Sequence, residues 1–162
     1  HLYRRRQRQM CIRDRPNTAV SVRKSLTCIC SNETGKDYLD LCVSIFDSIG
    51  KTIIINESKM QSATVMCASG IAFWMRIIRA MAQGGVELGF EAKDSLEISF
   101  RTAEGAINLL KTNKSHPEEE IDKVTTPSGC TIKGIIEMEN KGLSSAIIHG
   151  LISSHEKINK IK

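Results

Sequence analysis

The stretch that decides the fold is residues 124–134, Val-Thr-Thr-Pro-Ser-Gly-Cys-Thr-Ile-Lys-Gly. Pro127 fixes one backbone φ angle and Gly129 leaves another free, so the chain should turn sharply here. An apolar pattern with helical spacing comes next, which predicts a helix that starts near residues 129–131. The first N–H groups of that helix have no acceptor within it, and several hydroxyl side chains surround them. The segment is therefore a candidate pocket for a small anion such as a carboxylate.

Upstream of this segment, the sequence changes character near residue 60. Before that point the pattern predicts a short strand over residues 26–30, an amphipathic helix over 36–49 and a second strand over 52–55. This alternation is typical of an α/β domain. Because two strands do not make a stable sheet alone, we expect these residues to be the end of a larger domain.

Beyond residue 60 almost every segment has helical periodicity. The predicted helices cover residues 62–88, 92–112, 117–124, 130–141 and 143–158. Long apolar helices in so small a block favour a partner subunit that covers part of their surface. The predicted fold class is mainly α, with an all-helical domain over residues 61–162 preceded by an α/β remnant over residues 16–60.

The net charge of +5 comes from the N-terminal residues. Six of the 23 basic residues and one of the 18 acidic residues lie in residues 1–15, which leaves 17 of each in the rest of the chain. That balance argues against a nucleic-acid partner. Residues 1–15 are similar to translated sequencing-adaptor read-through, so we expect them to be non-native and disordered. The apolar runs are interrupted, and no membrane partner is expected.

Six cysteines give no metal or disulfide pattern. None has CxxC spacing and no histidine cluster accompanies them, so no metal site is predicted. A reducing, cytoplasmic setting is the simplest expectation. Cys130 lies at a helix start, where a thiol can act as a nucleophile, although the local sequence supplies no base for it. Thr131 at the same helix start is the better candidate for a functional residue, because its hydroxyl can both donate and accept a hydrogen bond. The alternative is that Thr131 only caps the helix.

Several stretches together resemble the pyrroline-5-carboxylate reductase family. The stretches that carry the resemblance are residues 16–19 (Pro-Asn-Thr-Ala), 68–73 (Ala-Ser-Gly-Ile-Ala-Phe), 116–124, 125–132 (Thr-Thr-Pro-Ser-Gly-Cys-Thr-Ile) and 142–148. The resemblance covers about residues 15–162, and residues 125–132 are its most specific part.

This resemblance implies a Rossmann domain and, after it, a helical dimerisation domain. Residues 16–60 would then be the end of the Rossmann domain, and residues 61–162 the helical domain. The implied reaction is hydride transfer from NADPH or NADH to 1-pyrroline-5-carboxylate, which gives L-proline. The implied partners are this small-molecule substrate and a second copy of the chain, with a homodimer or higher oligomer expected. No G-x-G-x-x-G occurs, so the cofactor's phosphate cradle is absent and the chain alone is expected to be inactive.

The resemblance also assigns roles to individual residues. The backbone N–H groups of Gly129, Cys130 and Thr131 would hold the substrate carboxylate, and the Thr131 hydroxyl would bond the ring nitrogen. Glu57 would be a substrate-side acid. The cofactor would be approached by Asn17, Thr18 and Lys123.

The sequence departs from the family pattern at four positions. Ala68 and Ser128 replace glycines, Ile71 replaces a proline and Phe73 replaces a tyrosine. Ser128 would have to adopt backbone angles that glycine takes more easily. Two other interpretations stay open at this point: a helical domain from another Rossmann-type dehydrogenase, and a non-catalytic dimerisation module.

Overall fold

The computed structural model of the chain describes residues 12–160. These residues form two compact units. The first unit holds the described residues up to Ala72 together with those from Leu151 onward, and the second is Phe73–Gly150. The predicted fold class is confirmed, because a small sheet comes first and the rest of the described chain is mostly helical.

The first unit is built on a three-stranded sheet in the order β1 (Ile12–Arg15), β2 (Ser25–Ser31), β3 (Gly50–Ile54). The central strand β2 is almost entirely buried, and it runs parallel to β3. Helix α1 (Leu39–Asp47) connects these two strands. The strand, helix and strand predicted from the sequence are thus confirmed as one β-α-β unit.

Strand β1 corrects, for residues 12–15 alone, the expectation that residues 1–15 are disordered. Ile12–Arg15 pairs antiparallel with β2, so that Arg13 lies opposite Cys30 and Arg15 opposite Cys28. The physical reason is that the buried strand β2 presents backbone N–H and C=O groups on this side, and they need partners. Residues 1–11, which include Cys11, lie outside the described part of the chain.

A continuous helical run from Glu57 to Glu87 comes after the sheet. It begins with a 3-10 turn (Glu57–Lys59) and α2 (Met60–Ala63), passes through a π turn (Thr64–Ser69) and ends as α3 (Gly70–Glu87). The sequence predicted the long helix but not the π turn. The run is also long and apolar enough to cross a membrane by length and composition, a criterion that core helices of soluble proteins meet too.

Four more helices complete the described chain: α4 (Ala92–Asn113), α5 (Pro117–Val124), α6 (Cys130–Asn140) and α7 (Leu143–Asn159). Their bounds agree closely with the predicted ones. Helix α5 begins as expected, because His116 caps it, Pro117 occupies its first turn and the Glu119 side chain accepts from the His116 N–H.

The second unit leaves many large apolar side chains exposed on its helices and on the turn after α3. Trp74 and Met75 are each 61% exposed, Met81 is 56% exposed and Leu88 is 81% exposed. Exposed apolar groups of this number are unusual on a soluble monomer. They are consistent with the partner surface that the sequence predicted.

Helices α3 and α4 approach closely where Ser95 meets Gly85. The Ser95 hydroxyl is buried and donates to the Ala82 carbonyl at 2.6 Å. A Cβ atom on Gly85 would lie 2.0 Å from the Ser95 Oγ, whereas one on Gly84 would meet no atom within 4 Å. Gly85 is therefore the position at which the absence of a side chain lets α3 and α4 pack closely.

This contrast generates a matched pair of variants. Gly85→Ala should lower the free energy of unfolding, because the Ser95 side chain must leave its hydrogen bond; the loss should be about 1–3 kcal/mol. Gly84→Ala adds the same methyl group in open space and should stabilise α3 by about 0.5–1 kcal/mol. Urea unfolding followed by circular dichroism measures both, and equal effects of the two substitutions would contradict the close approach.

Candidate functional site

The connection between α5 and α6 is a tight turn over residues 126–129. The Gly129 N–H donates to the Thr126 carbonyl at 2.9 Å, which closes a four-residue turn. Pro127 and Ser128 occupy its two central positions, and Ser128 has a φ of 59°. A proline followed by a positive φ is the pattern of a type II turn. Ser128 does adopt the angles that its place in the sequence required.

Gly129 is needed at this turn for steric reasons. A Cβ atom there would lie 2.4 Å from the Thr126 Oγ1 and 3.0 Å from the Thr126 carbonyl oxygen. Gly129 is also the N-cap of α6, so the predicted helix start is confirmed. The turn thus leads directly into the start of α6, and its backbone conformation is restricted by Pro127 and Gly129.

The N–H groups at the start of α6 are not all available to a ligand. The Gly129 N–H already donates to the Thr126 carbonyl in this structure, and its role toward a carboxylate stays a prediction. Cys130 and Thr131 form the first turn of the helix, and no side chain caps it. Their N–H groups have no acceptor within α6, and both side chains are exposed. These two residues carry what is left of the candidate anion site.

A groove of about 740 Å³ follows one face of α6 from its N-terminal end, and Cys130 and Thr131 are not among the residues that line it. Ser128, Gly129, Ile132, Lys133, Ile136 and Glu137 line it. The positive end of the α6 dipole lies beside Gly129, and it favours an anion over a neutral ligand.

Glu57, in the first unit, is held by two donors from the sheet. The Cys30 thiol donates to its Oε2 at 2.7 Å, and the Arg13 guanidinium donates to its Oε1. The thiol bond, and after it the arginine, lower the pKa of the Glu57 carboxyl below its ordinary value. Burial, and after it the bond to Glu57, raises the pKa of the Cys30 thiol to about 11. Glu57 is therefore an ionised acceptor and Cys30 a protonated donor at neutral pH.

Asn17 and Thr18 form the start of a 3-10 turn (Thr18–Val22) after β1. The Asn17 Oδ1 accepts from the Ala19 N–H at 3.1 Å, and its Nδ2 donates to the Cys67 carbonyl at 3.1 Å. Thr18 is exposed. The structure thereby brings together two stretches that are far apart in the sequence, residues 16–19 and the π turn.

Lys123 is engaged by its own helix. Its ammonium donates to the Glu120 carboxylate at 2.7 Å, and the same oxygen accepts from Ser115 at 2.5 Å and Asn113 at 3.1 Å. These donors, led by Lys123, lower the pKa of Glu120 to about 2. The cluster joins the end of α4 to α5, which gives Lys123 a structural partner that the sequence did not predict.

The predicted site residues fall into two groups. Asn17, Thr18 and Glu57 belong to the first unit. The second unit holds Lys123, Gly129, Cys130 and Thr131. Sequence reasoning missed Cys30 and Arg13 as partners of Glu57, because the pairing that sets Arg13 opposite Cys30 is a contact between distant strands that the sequence does not specify.

Comparison with known families gives a clear match. The sequence model of the family described as "Pyrroline-5-carboxylate reductase dimerisation" matches residues 57–161. Two relatives from Dictyostelium discoideum, pyrroline-5-carboxylate reductases 1 and 2, are each 44% identical. The matches cover 90% of this chain and 29% of the first relative, and 92% of this chain and 54% of the second.

Solved structures agree with this match. The structure of 1-pyrroline-5-carboxylate reductase from Streptococcus pyogenes aligns with a TM-score of 0.91 and 27% identity, over 96% of this chain and 60% of that one. The Plasmodium falciparum pyrroline carboxylate reductase, solved with NADP bound, aligns with a TM-score of 0.86 and 24% identity, over 94% and 62%. The chain thus spans no more than about two thirds of the proteins it matches here.

The Cys30–Glu57 hydrogen bond generates a prediction about titration. Cys30→Ala removes the donor, so the pKa of the Glu57 carboxyl should rise toward its ordinary value, whereas Cys30→Ser keeps a donor and should preserve most of the shift. Carboxyl-carbon NMR titration of Glu57 measures this directly. Cys42→Ala, a substitution of a half-buried cysteine on α1, is the control. An unchanged Glu57 titration in Cys30→Ala would contradict the assignment.

The Glu120 cluster generates a prediction about stability and pH. Because the folded-state pKa of Glu120 lies near 2, below its ordinary 4.5, its contribution is present above pH 4.5 and is lost as the pH falls toward 2. Glu120→Gln should therefore flatten the pH dependence of unfolding over this range. Glu118→Gln alters a carboxylate in the same first turn of α5 and should leave the dependence nearly as it is. Urea midpoints at pH 6, 4 and 3 decide between these outcomes, and parallel curves for both variants would refute the cluster's role.

Proposed function

The chain belongs to the pyrroline-5-carboxylate reductase family, and from this we propose that it carries the substrate-holding, helical part of an enzyme that reduces 1-pyrroline-5-carboxylate to L-proline. The observation that carries the proposal is the turn over residues 126–129, which places the open N–H groups of Cys130 and Thr131 at the start of α6. This turn lies in the part of the chain that the family match covers. The alternative of another Rossmann-type dehydrogenase loses its support with that match.

The cofactor, NADPH or NADH, supplies the hydride in this reaction. The chain contains no G-x-G-x-x-G, so its residues do not fit the phosphate end of such a cofactor. Thr18 is exposed at a turn beside β1 and suits an approach to the nicotinamide end. Toward the cofactor we propose only this contact for the first unit. In the second unit we propose a weaker cofactor contact for Lys123, because its ammonium is already paired with Glu120.

The substrate carboxylate suits the start of α6. The N–H groups of Cys130 and Thr131 can each donate to one carboxylate oxygen, and the positive helix end adds a favourable field. Gly129 contributes by shape rather than by its N–H, because a larger residue would push Thr126 away.

The Thr131 hydroxyl suits the ring nitrogen of the same substrate. A hydroxyl one residue along from the carboxylate-binding N–H of Cys130 can reach the nitrogen next to the carbon that bears the carboxylate. As the imine becomes an amine, the hydroxyl can accept from or donate to that nitrogen and so stabilise the transition state.

Glu57 suits an electrostatic role. Its lowered pKa keeps it ionised, so it is suited to accept a hydrogen bond or to stabilise a protonated imine rather than to supply a proton. A positively charged C=N carbon accepts hydride more readily than a neutral one, which makes an anion on the substrate side useful.

We also propose a homodimer, or a higher oligomer built from it. Its support is the family description, which names dimerisation, together with the exposed apolar side chains of the second unit. A reducing, cytoplasmic setting is proposed on the five free cysteines of the described chain.

Replacing Thr131 tests the proposed chemistry. In a complete reductase that carries this chain, Thr131→Ala should lower kcat/KM for pyrroline-5-carboxylate roughly 5- to 150-fold. This corresponds to about 1–3 kcal/mol of lost transition-state stabilisation, because one hydrogen bond is removed. Thr131→Ser keeps the hydroxyl and should recover most of the rate. Steady-state kinetics with NADPH provide the measurement. Wild-type kinetics in Thr131→Ala would defeat the assignment, and a complete but inactive protein would favour the dimerisation module.

A further inference from the structure

Asn17 is occupied on every polar group of its side chain. Its Oδ1 accepts from Ala19 and its Nδ2 donates to the Cys67 carbonyl, while its backbone N–H donates to the Ser25 hydroxyl at 3.2 Å. The bond to Cys67 joins residues 50 positions apart in the chain. One half-buried residue thus ties three elements together: the turn after β1, the start of β2 and the π turn.

The π turn is a place where such a tie has consequences. Its spacing is set by the Gly70 N–H, which donates to the Val65 carbonyl rather than to the usual acceptor one residue closer. The regular helical ladder is interrupted here, and the Cys67 carbonyl accepts from outside the helix. On its other side Cys67 is also fixed, because its buried thiol lies 3.4 Å from the thiol of Cys28 in β2.

The bond to Cys67 fixes the orientation of the Asn17 amide and uses one of the two N–H groups on Nδ2. A ligand that displaced this bonded N–H would leave the Cys67 carbonyl without its donor, which opposes that mode of contact. The side chain of Thr18, the next residue, is exposed and is not tied to the π turn by such a hydrogen bond.

We propose that Asn17 is a positioning residue, not a cofactor-contacting one: its Nδ2–Cys67 bond holds the Thr18 turn and the π turn in one register. Its consequence for catalysis rests on the proposed function, since Thr18 and the residues just after the π turn are then placed together for the nicotinamide end of the cofactor. The tie itself is independent of that function.

Substitution by aspartate isolates this bond. Asn17→Asp keeps the Oδ1 acceptor for the Ala19 N–H and replaces the Nδ2 donor with an oxygen that faces the Cys67 carbonyl. Asn17→Ser keeps a capping hydroxyl that is too short to reach Cys67, and it covers the case in which the aspartate variant does not fold. The matched control is Asn56→Asp, because Asn56 caps the Glu57–Lys59 turn through its Oδ1 in the same unit.

Hydrogen exchange is the first measurement, made on a complete reductase that carries this chain. Amides of residues 67–71 should exchange at least about fivefold faster in Asn17→Asp or Asn17→Ser than in wild type, as expected for one lost hydrogen bond. Asn56→Asp should leave them unchanged. Unchanged exchange in both Asn17 variants, or equal acceleration in Asn56→Asp, would overturn the proposal.

Cofactor affinity and turnover are the second measurement. For a positioning residue, kcat should fall while the dissociation constant of NADPH, followed by fluorescence, stays within about twofold of wild type. A dissociation constant that rises in step with the loss of kcat/KM would instead show direct contact and overturn the proposal. If wild type lacks reductase activity, the proposed function fails, but the exchange result still decides whether Asn17 holds the π turn.

Discussion

The hydrogen bond from the Gly129 N–H to the Thr126 carbonyl is the constraint on which the proposed site depends. It closes the turn that ends the approach from α5 and begins α6. Pro127 has the fixed φ that the first central position of this turn needs, Ser128 adopts the positive φ of the second, and Gly129 leaves room for Thr126. Because the turn consumes the Gly129 N–H, the donors offered to a ligand are those of Cys130 and Thr131. One backbone bond therefore determines both where the helix begins and which of its N–H groups remain open.

The first unit depends on bonds of a different kind, between side chains and groups far apart in sequence. Cys30 reaches Glu57 across 27 residues, and Asn17 reaches Cys67 across 50. Both contacts connect the small sheet to the beginning of the long helical run. They place an ionised carboxylate and a fixed π turn in the same unit. The large apolar side chains on the helices of the second unit are left exposed, which is the physical reason for proposing a second copy of the chain.

This difference between local and distant contacts explains how much of the structure the sequence could predict. The helix start at residue 130, the angles of Ser128 and the cap of α5 by His116 all depend on residues within a few positions of each other. These local features can be predicted from the residue types alone, without knowledge of the tertiary structure. The tie from Asn17 to Cys67 and the strand formed by residues 12–15 depend on what packs beside them. No periodicity or composition specifies those pairings, so the partner that Asn17 has in the fold could not be predicted from the sequence.

The central claim is that the start of α6 holds the carboxylate of a five-membered ring. The most direct measurement is a crystal structure of a complete reductase carrying this chain, soaked with L-proline. We expect one carboxylate oxygen within about 3.2 Å of the backbone nitrogens of Cys130 and Thr131, with the Thr131 hydroxyl facing the ring nitrogen and the Gly129 N–H still bonded to Thr126. L-proline bound elsewhere, with the N–H groups of α6 facing solvent, would contradict the claim.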